Sequence, residues 1–199
     1  QRVRLQHDKM YIGRFKRVYE SLKPTLSLVK GYTLGAGLYL CEASDLVIGA
    51  DTLRIGHPEQ KMGLSGAAYF AAWEMMQLGP RKARELLLMA EIWDAAKALE
   101  VGLVNKVVPA DQLDQTGEEW AERIVRLPRD GIVLGKAATN MAMSALGITN
   151  QFDFGHVLHT LATNVRYEED EFNFMKEKRD KGVSQMNKSQ AGHYSKYKK

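Results

Sequence analysis

The stretch VKGYTLGAGLYL, Val29 to Leu40, decides how this chain is read. An apolar run enters it, and Gly35, Ala36 and Gly37 turn that run straight into a second apolar segment. One glycine is enough for an ordinary turn, so three side-chain-poor positions together mark a place where something comes close to the backbone. Where a strand feeds a helix, the first helical N–H groups have no partner within the helix, and the helix dipole draws negative charge to that end. Three occupants fit such a turn: a ligand carbonyl whose oxygen takes on charge, a phosphate, or the neighbouring strand packed tightly. The spacing differs from the dinucleotide pattern Gly-x-Gly-x-x-Gly, because Leu40 stands three residues after Gly37. Nor does a Lys-Ser/Thr pair close the turn as in a phosphate-binding loop.

To either side, TLSLVK (25–30) reads as a short buried strand and LYLCEASD (38–45) as a helix. LVIGA (46–50) and TLRIG (52–56) read as two further strands. Strand, helix and strand at this density mean an α/β fold with short connections. Upstream, HDKMYIGRFKRVYESL (7–22) brings Met10, Phe15, Val18 and Leu22 near one helical face, and Pro24 ends it. Downstream, an alanine-rich helix is expected after Gly66 and another from Pro80. A third is expected between an Asp94 N-cap and a Gly102 stop, then a strand, LVNKVVP, closed by Pro109. Only helical patterns follow, and no repeat of fixed period is visible. The expected organisation is an α/β core over 1–109 and a helical C-terminal region with a basic tail over 110–199.

The chain has 199 residues, 45% of them hydrophobic, enough to bury a sizeable core. Its net charge of +4 is uneven: Lys176 to Lys199 carries +6, leaving −2 on the 175 residues before it. A body without a basic face argues against nucleic acid as a partner. The tail reads as a solvated charge run or as an attractor of an anionic cofactor. Cys41 is the single cysteine, so no intrachain disulfide forms; this suits a reducing compartment, and a cytoplasmic location is expected. Neither a membrane-spanning run nor a secretory signal is visible. The sequence opens in helical character without an initiator Met, so an N-terminal part is expected to precede Gln1.

A second informative stretch is IGHPEQKMGLSG, Ile55 to Gly66. Glu59 follows a strand and Pro58, and it precedes a glycine-rich loop with Met62 and Leu64. In an apolar pocket a glutamate holds its proton to higher pH and becomes a useful proton carrier; on a surface loop it is merely solvated. His57, two residues earlier, shares a side of the extended chain with Glu59, either assisting it or walling the loop. Asp153, His156 and His159 fall at i, i+3 and i+6 of an expected helix, without the His-x-x-x-His spacing of a helical zinc site, and no metal site is expected.

Taken in order, KPTLSLVKGYTLGAGLYLCEASDLVIGADTLRIGHPEQKMGL and the later LGPRKARELLLMAEIWDAAKALEVGLVNKVVPADQL resemble the crotonase (enoyl-CoA hydratase/isomerase) superfamily over Lys23 to Leu113. The resemblance implies a spiral of ββα turns, a helical C-terminal region, and homotrimers or dimers of trimers. It implies an acyl-CoA thioester as substrate, with coenzyme A entering as part of that substrate and no permanently bound cofactor. On this match Ala36 offers one of two N–H groups that hold the thioester oxygen as an enolate forms. Gly35 and Gly37 clear space for it, Glu59 is the acid/base, and His57, Met62 and Leu64 shape the substrate site.

Two departures qualify the match. The family's second oxyanion N–H comes from a loop upstream of the helix where this sequence begins. Family hydratases also usually carry a second glutamate, three residues after the Ala36 position, where this chain has Tyr39. One glutamate suffices to shift a double bond, and a phenol of ordinary pKa near 10 is a poor base. Tyr39 orients a water, donates a hydrogen bond, or only packs. The expected function is enoyl-CoA hydratase or isomerase chemistry. Hydrolysis or ring opening of a cyclic keto-acyl-CoA, and a non-catalytic acyl-CoA-binding or assembly subunit, are the alternatives.

Overall fold

The computed structural model describes residues 2–64, 69–162 and 164–195. It begins with helix α1 (Arg2–Tyr19), followed by β1 (Leu26–Val29), β2 (Tyr32–Leu34) and α2 (Ala36–Ala43). β3 (Leu46–Ala50) and β4 (Arg54–Gly56) lead through a 3-10 turn (Pro58–Met62) to α3 (Ala71–Leu88). β5 (Ile92–Asp94), α4 (Ala95–Glu100) and β6 (Lys106–Val108) complete the α/β part. Helices α5 (Leu113–Val125), α6 (Arg129–Ala145), α7 (Gln151–Ala162) and α8 (Phe174–Ser195) follow.

The six strands form two three-stranded sheets, ordered β1-β3-β6 and β2-β4-β5, and the first four alternate between them. β1 and β3 pair in parallel with Leu26 opposite Leu46, and β2 and β4 pair in parallel with Tyr32 opposite Arg54. Each ββα turn therefore stacks on the one before it, which is the expected spiral. β5 breaks the pattern by pairing antiparallel to β4.

Helix α2 is buried on two faces because it lies between two cores. Leu38 and Cys41 join Val47, Leu53, Ile55, Leu86 and Trp93 beneath the sheets. Tyr39 and Ala43 join an aromatic cluster with Phe15 and Tyr19 of α1, Phe70, and Phe152 of α7. Fully burying a side chain such as Leu38 contributes about 1.5–3 kcal/mol. The Lys23-Pro24 and Ser44-Asp45 pairs at the edge of the spiral also have a physical role. Asp45 accepts hydrogen bonds from the Thr25 amide at 2.6 Å and from Lys136 Nζ at 2.6 Å, and Lys136 also donates to the Lys23 carbonyl at 3.0 Å. Helix α6 is thereby tied to the start of β1.

Several expectations need correction. Helix α1 ends at Tyr19 rather than running on to Pro24, and its buried face is Asp8, Ile12, Phe15 and Tyr19. Met10 is 60% and Leu22 68% exposed. A buried aspartate on the apolar stripe shifted the apparent face by a residue or two. β2 and β5 were not expected: three-residue strands are too short to show alternation. The alanine-rich helix is described from Ala71; its expected start just after Gly66 lies outside the described residues, as do the last four residues of the basic tail. The other boundaries follow their sequence signals. Gly79 at φ 73° separates a first helical stretch from the one that starts at Pro80. The Asp94 carboxylate accepts from the Lys97 amide at 2.8 Å, and Gly102 at φ 80° follows the end of α4.

Candidate active site

The small-residue turn is a helix start, as its sequence requires. Gly35 has φ 52° and ψ −114°, a backbone setting that only glycine adopts without strain, and Ala36 is the first residue of α2. Ala36 is exposed, and the first amides of the turn have no partner within the helix. Pro58, at the start of the 3-10 turn, and Gly63 at φ 70°, at its end, hold Glu59 at a fixed place. The Leu64 amide donates to the Glu59 carbonyl at 3.0 Å, and the Tyr167 hydroxyl donates to the Met62 carbonyl at 2.9 Å.

These two elements meet. A Cβ placed on Gly35 would overlap Glu59 Oε1, with the carboxyl carbon 3.7 Å away. The space left open at Gly35 is thus occupied by the carboxylate itself. A Cβ on Gly37 would make only an ordinary 3.5 Å contact with Thr33 Cγ2. Ala36, Tyr39, Glu59 and Leu64 line one cavity of about 260 Å³, together with Arg4, His7, Asp8 and Tyr11 of α1, Tyr69, and His159 of α7. Met62 and His57 are not on its wall.

Gly35→Ala puts a side chain into the left-handed region, at a cost of about 1–3 kcal/mol, and drives its methyl group into the carboxylate. Its unfolding midpoint in urea should fall modestly while turnover falls by more than that loss explains. Turnover within twofold of the wild type would show that the Glu59 position is not set by this contact.

Behind Glu59 lies a buried ionic cluster that the sequence did not announce. His57, fully buried, donates through Nε2 to Glu74 Oε1, and its Nδ1 lies 3.5 Å from Glu59 Oε2. Burial disfavours its charge, but the Glu59 and Glu74 carboxylates outweigh burial and push the imidazole up to about 9. Glu42 of α2 is buried as well, with its carboxyl group set against that of Glu74. Burial, then the charge of Glu74 and a hydrogen bond with it, then Glu59, raise it well above the ordinary glutamate range, which favours its protonated form. One ligand atom each from Glu42, His57 and Glu74 lie within 4.8 Å of one another. Three donor atoms are enough to hold an ion, and two protons balance the same charges.

Tyr39 packs in the aromatic cluster, stacked on Phe70 at 5.5 Å between ring centres. Burial, then Glu59, Glu42 and Glu74, push its phenol well above 10, so it is a hydrogen-bond donor and not a base. Asp153 and His156 are not on the cavity wall, whereas His159 is. The tail cations Lys176, Lys178, Arg179 and Lys181 are exposed; Arg179 pairs with Asp180 and Lys181 with Glu177. Sequence reasoning missed Asp8, Glu74 and Tyr69. A signal existed for Asp8, which keeps step with Ile12, Phe15 and Tyr19 at helical spacing.

The family model for enoyl-CoA hydratase/isomerase matches residues 6–185. The chain belongs to the enoyl-CoA hydratase/isomerase family. It is 35% identical over 153 residues, 76% of its length, to EchA13 of Mycobacterium tuberculosis, which carries the name of an enoyl-CoA hydratase. It spans 47% of that relative. A Mycobacterium smegmatis crystal structure described as an enoyl-CoA hydratase superposes with a TM-score of 0.74 at 30% identity, covering 79% of this chain and 64% of the other. An enoyl-CoA hydratase/isomerase from Xanthobacter autotrophicus Py2 superposes with a TM-score of 0.82 at 24% identity, covering 94% and 68%. The family's fold is the α/β crotonase spiral described above. Among the described residues no single helix is long and apolar enough to cross a membrane.

Proposed function

We propose that this protein carries out crotonase-type chemistry on an acyl-CoA thioester. The Ala36 amide at the start of α2 holds the thioester oxygen as it becomes an enolate oxyanion. Glu59 takes the proton from the α-carbon and returns it. Amide dipoles aimed at developing charge in a site with little water stabilise it strongly, because nothing has to reorient as the charge forms. One observation carries this reading: Glu59 rests against Gly35 and shares the cavity wall with Ala36, so acid/base and oxyanion donor face one reacting group. Tyr39 stands beside them as a neutral donor.

The test is proton exchange. Incubated in deuterium oxide with saturated acyl-CoA thioesters of several chain lengths, the protein should introduce deuterium at the α-carbon, read by mass spectrometry. No exchange with any of them would sink the proposal.

A further inference from the structure

Across the cavity from the spiral, α1 and α7 place a second set of titratable groups that the enolate reading does not use. Asp8 is buried, yet it is the most heavily bonded carboxylate of the cavity. It meets Arg4 Nε at 3.0 Å, Thr160 Oγ1 at 2.8 Å, His7 Nδ1 at 3.4 Å and His159 Nδ1 at 3.0 Å. Burial alone would raise its pKa, but the bonds from His159, Thr160, Arg4 and His7 dominate and hold it at about 2, so it stays ionised. Arg4 Nη2 also lies 3.3 Å from His159 Nδ1. Arginine only donates, so Nδ1 cannot serve both contacts; the shorter, to the carboxylate, makes Nδ1–H the donor to Asp8 Oδ2. Nε2 then carries the lone pair and has no hydrogen-bond partner among the described residues. The ring stacks on Tyr69 at 5.0 Å and remains 19% exposed, on the cavity wall.

We propose that His159, oriented by Asp8, is a second catalytic acid/base that activates water against the substrate held at Ala36. This rests on the enolate reading and extends it from proton transfer at the α-carbon to addition of water. With a 2-enoyl thioester, a water oxygen bonds to the β-carbon as its proton passes to His159 Nε2. The carbon–carbon π pair moves into the thioester and becomes the enolate held by the Ala36 amide. Glu59 takes up a solvent proton and passes it to the α-carbon. His159 returns its proton to solvent, and water has been added across the double bond with both groups restored.

A positioned acid/base contributes about 10²–10⁴-fold. His159→Gln should therefore lower water addition to 2-enoyl-CoA, read as loss of the conjugated thioester absorbance, by about 100-fold or more. α-Deuterium exchange should fall far less, and the melting temperature should stay close to the wild type. His159→Ala should regain part of its water addition when imidazole is supplied, which a purely structural residue would not do. Water addition by the glutamine variant within threefold of the wild type overturns the proposal. So does parallel loss of water addition and exchange with no response to imidazole. A wild-type protein that exchanges but adds no water overturns it while sparing the Glu59 reading; one that does neither overturns both.

Discussion

Glu59→Gln is expected to lower turnover of an acyl-CoA substrate, and α-deuterium exchange, by about 10²–10⁴-fold, the usual worth of a positioned acid/base. The substitution keeps shape and volume, so the amide still fits against Gly35, and Ala36 still meets the thioester. What disappears is the ability to take and return a proton. Because that ability matters in the transition state and little in ground-state binding, kcat should fall and KM should change little. Stability should also change little. His57 keeps its bond to Glu74, and the lost partner is its longer contact at 3.5 Å. The variant therefore separates the two things Glu59 does here, filling the space at Gly35 and carrying a proton. Exchange and turnover within threefold of the wild type would remove Glu59 from the chemistry.

The sequence made the spiral legible where its turns carry backbone requirements. Gly35, Pro58, Asp94 and Gly102 each fix a boundary through a φ angle, a ring or a cap, and such requirements are local. The same local reading brought Ala36 and Glu59 forward as partners, through a resemblance, and the structure puts them on one cavity wall. What stayed hidden depends on distant packing. Glu42 and Glu74 lie 32 residues apart, yet both are buried and gather at one imidazole. Asp8 and His159 stand 151 residues apart in the chain, and their contact exists only because α7 closes on α1. His57 showed the intermediate case. Its proximity to Glu59 was visible from their spacing of two, but its bond to Glu74, and hence its charge, was not.

Replacing His57 with leucine should be the most destabilising single change in the site, and its cost should depend on pH. The imidazole is fully buried and lies between two carboxylates, one of which, Glu74, is 1% exposed. Removing one partner of a buried pair leaves an uncompensated charge and costs about 3–5 kcal/mol. For a chain of this size that corresponds to a drop in Tm on the order of 10 °C. The pH dependence follows from the direction of the shift. A histidine raised from 6.5 to about 9 stabilises the fold fully below pH 6.5, and that stability is lost as the pH rises through about 9. The difference corresponds to about 3 kcal/mol. Glu42 acts with the same sign, since its raised pKa means that the folded chain holds a proton the unfolded chain gives up above pH 4.5. Wild-type stability should therefore decline between about pH 5 and pH 9. Urea unfolding at pH 6 and pH 9 should show His57→Leu much weaker than the wild type at pH 6, with the gap narrowing at pH 9. Glu42→Gln, whose amide mimics the protonated form that the fold favours, should cost little at pH 6 and gain on the wild type at pH 9. A leucine variant as stable as the wild type at pH 6 would mean that the imidazole is not the cation holding Glu59 and Glu74 in place, and the charge assignment behind the acid/base would have to be reversed.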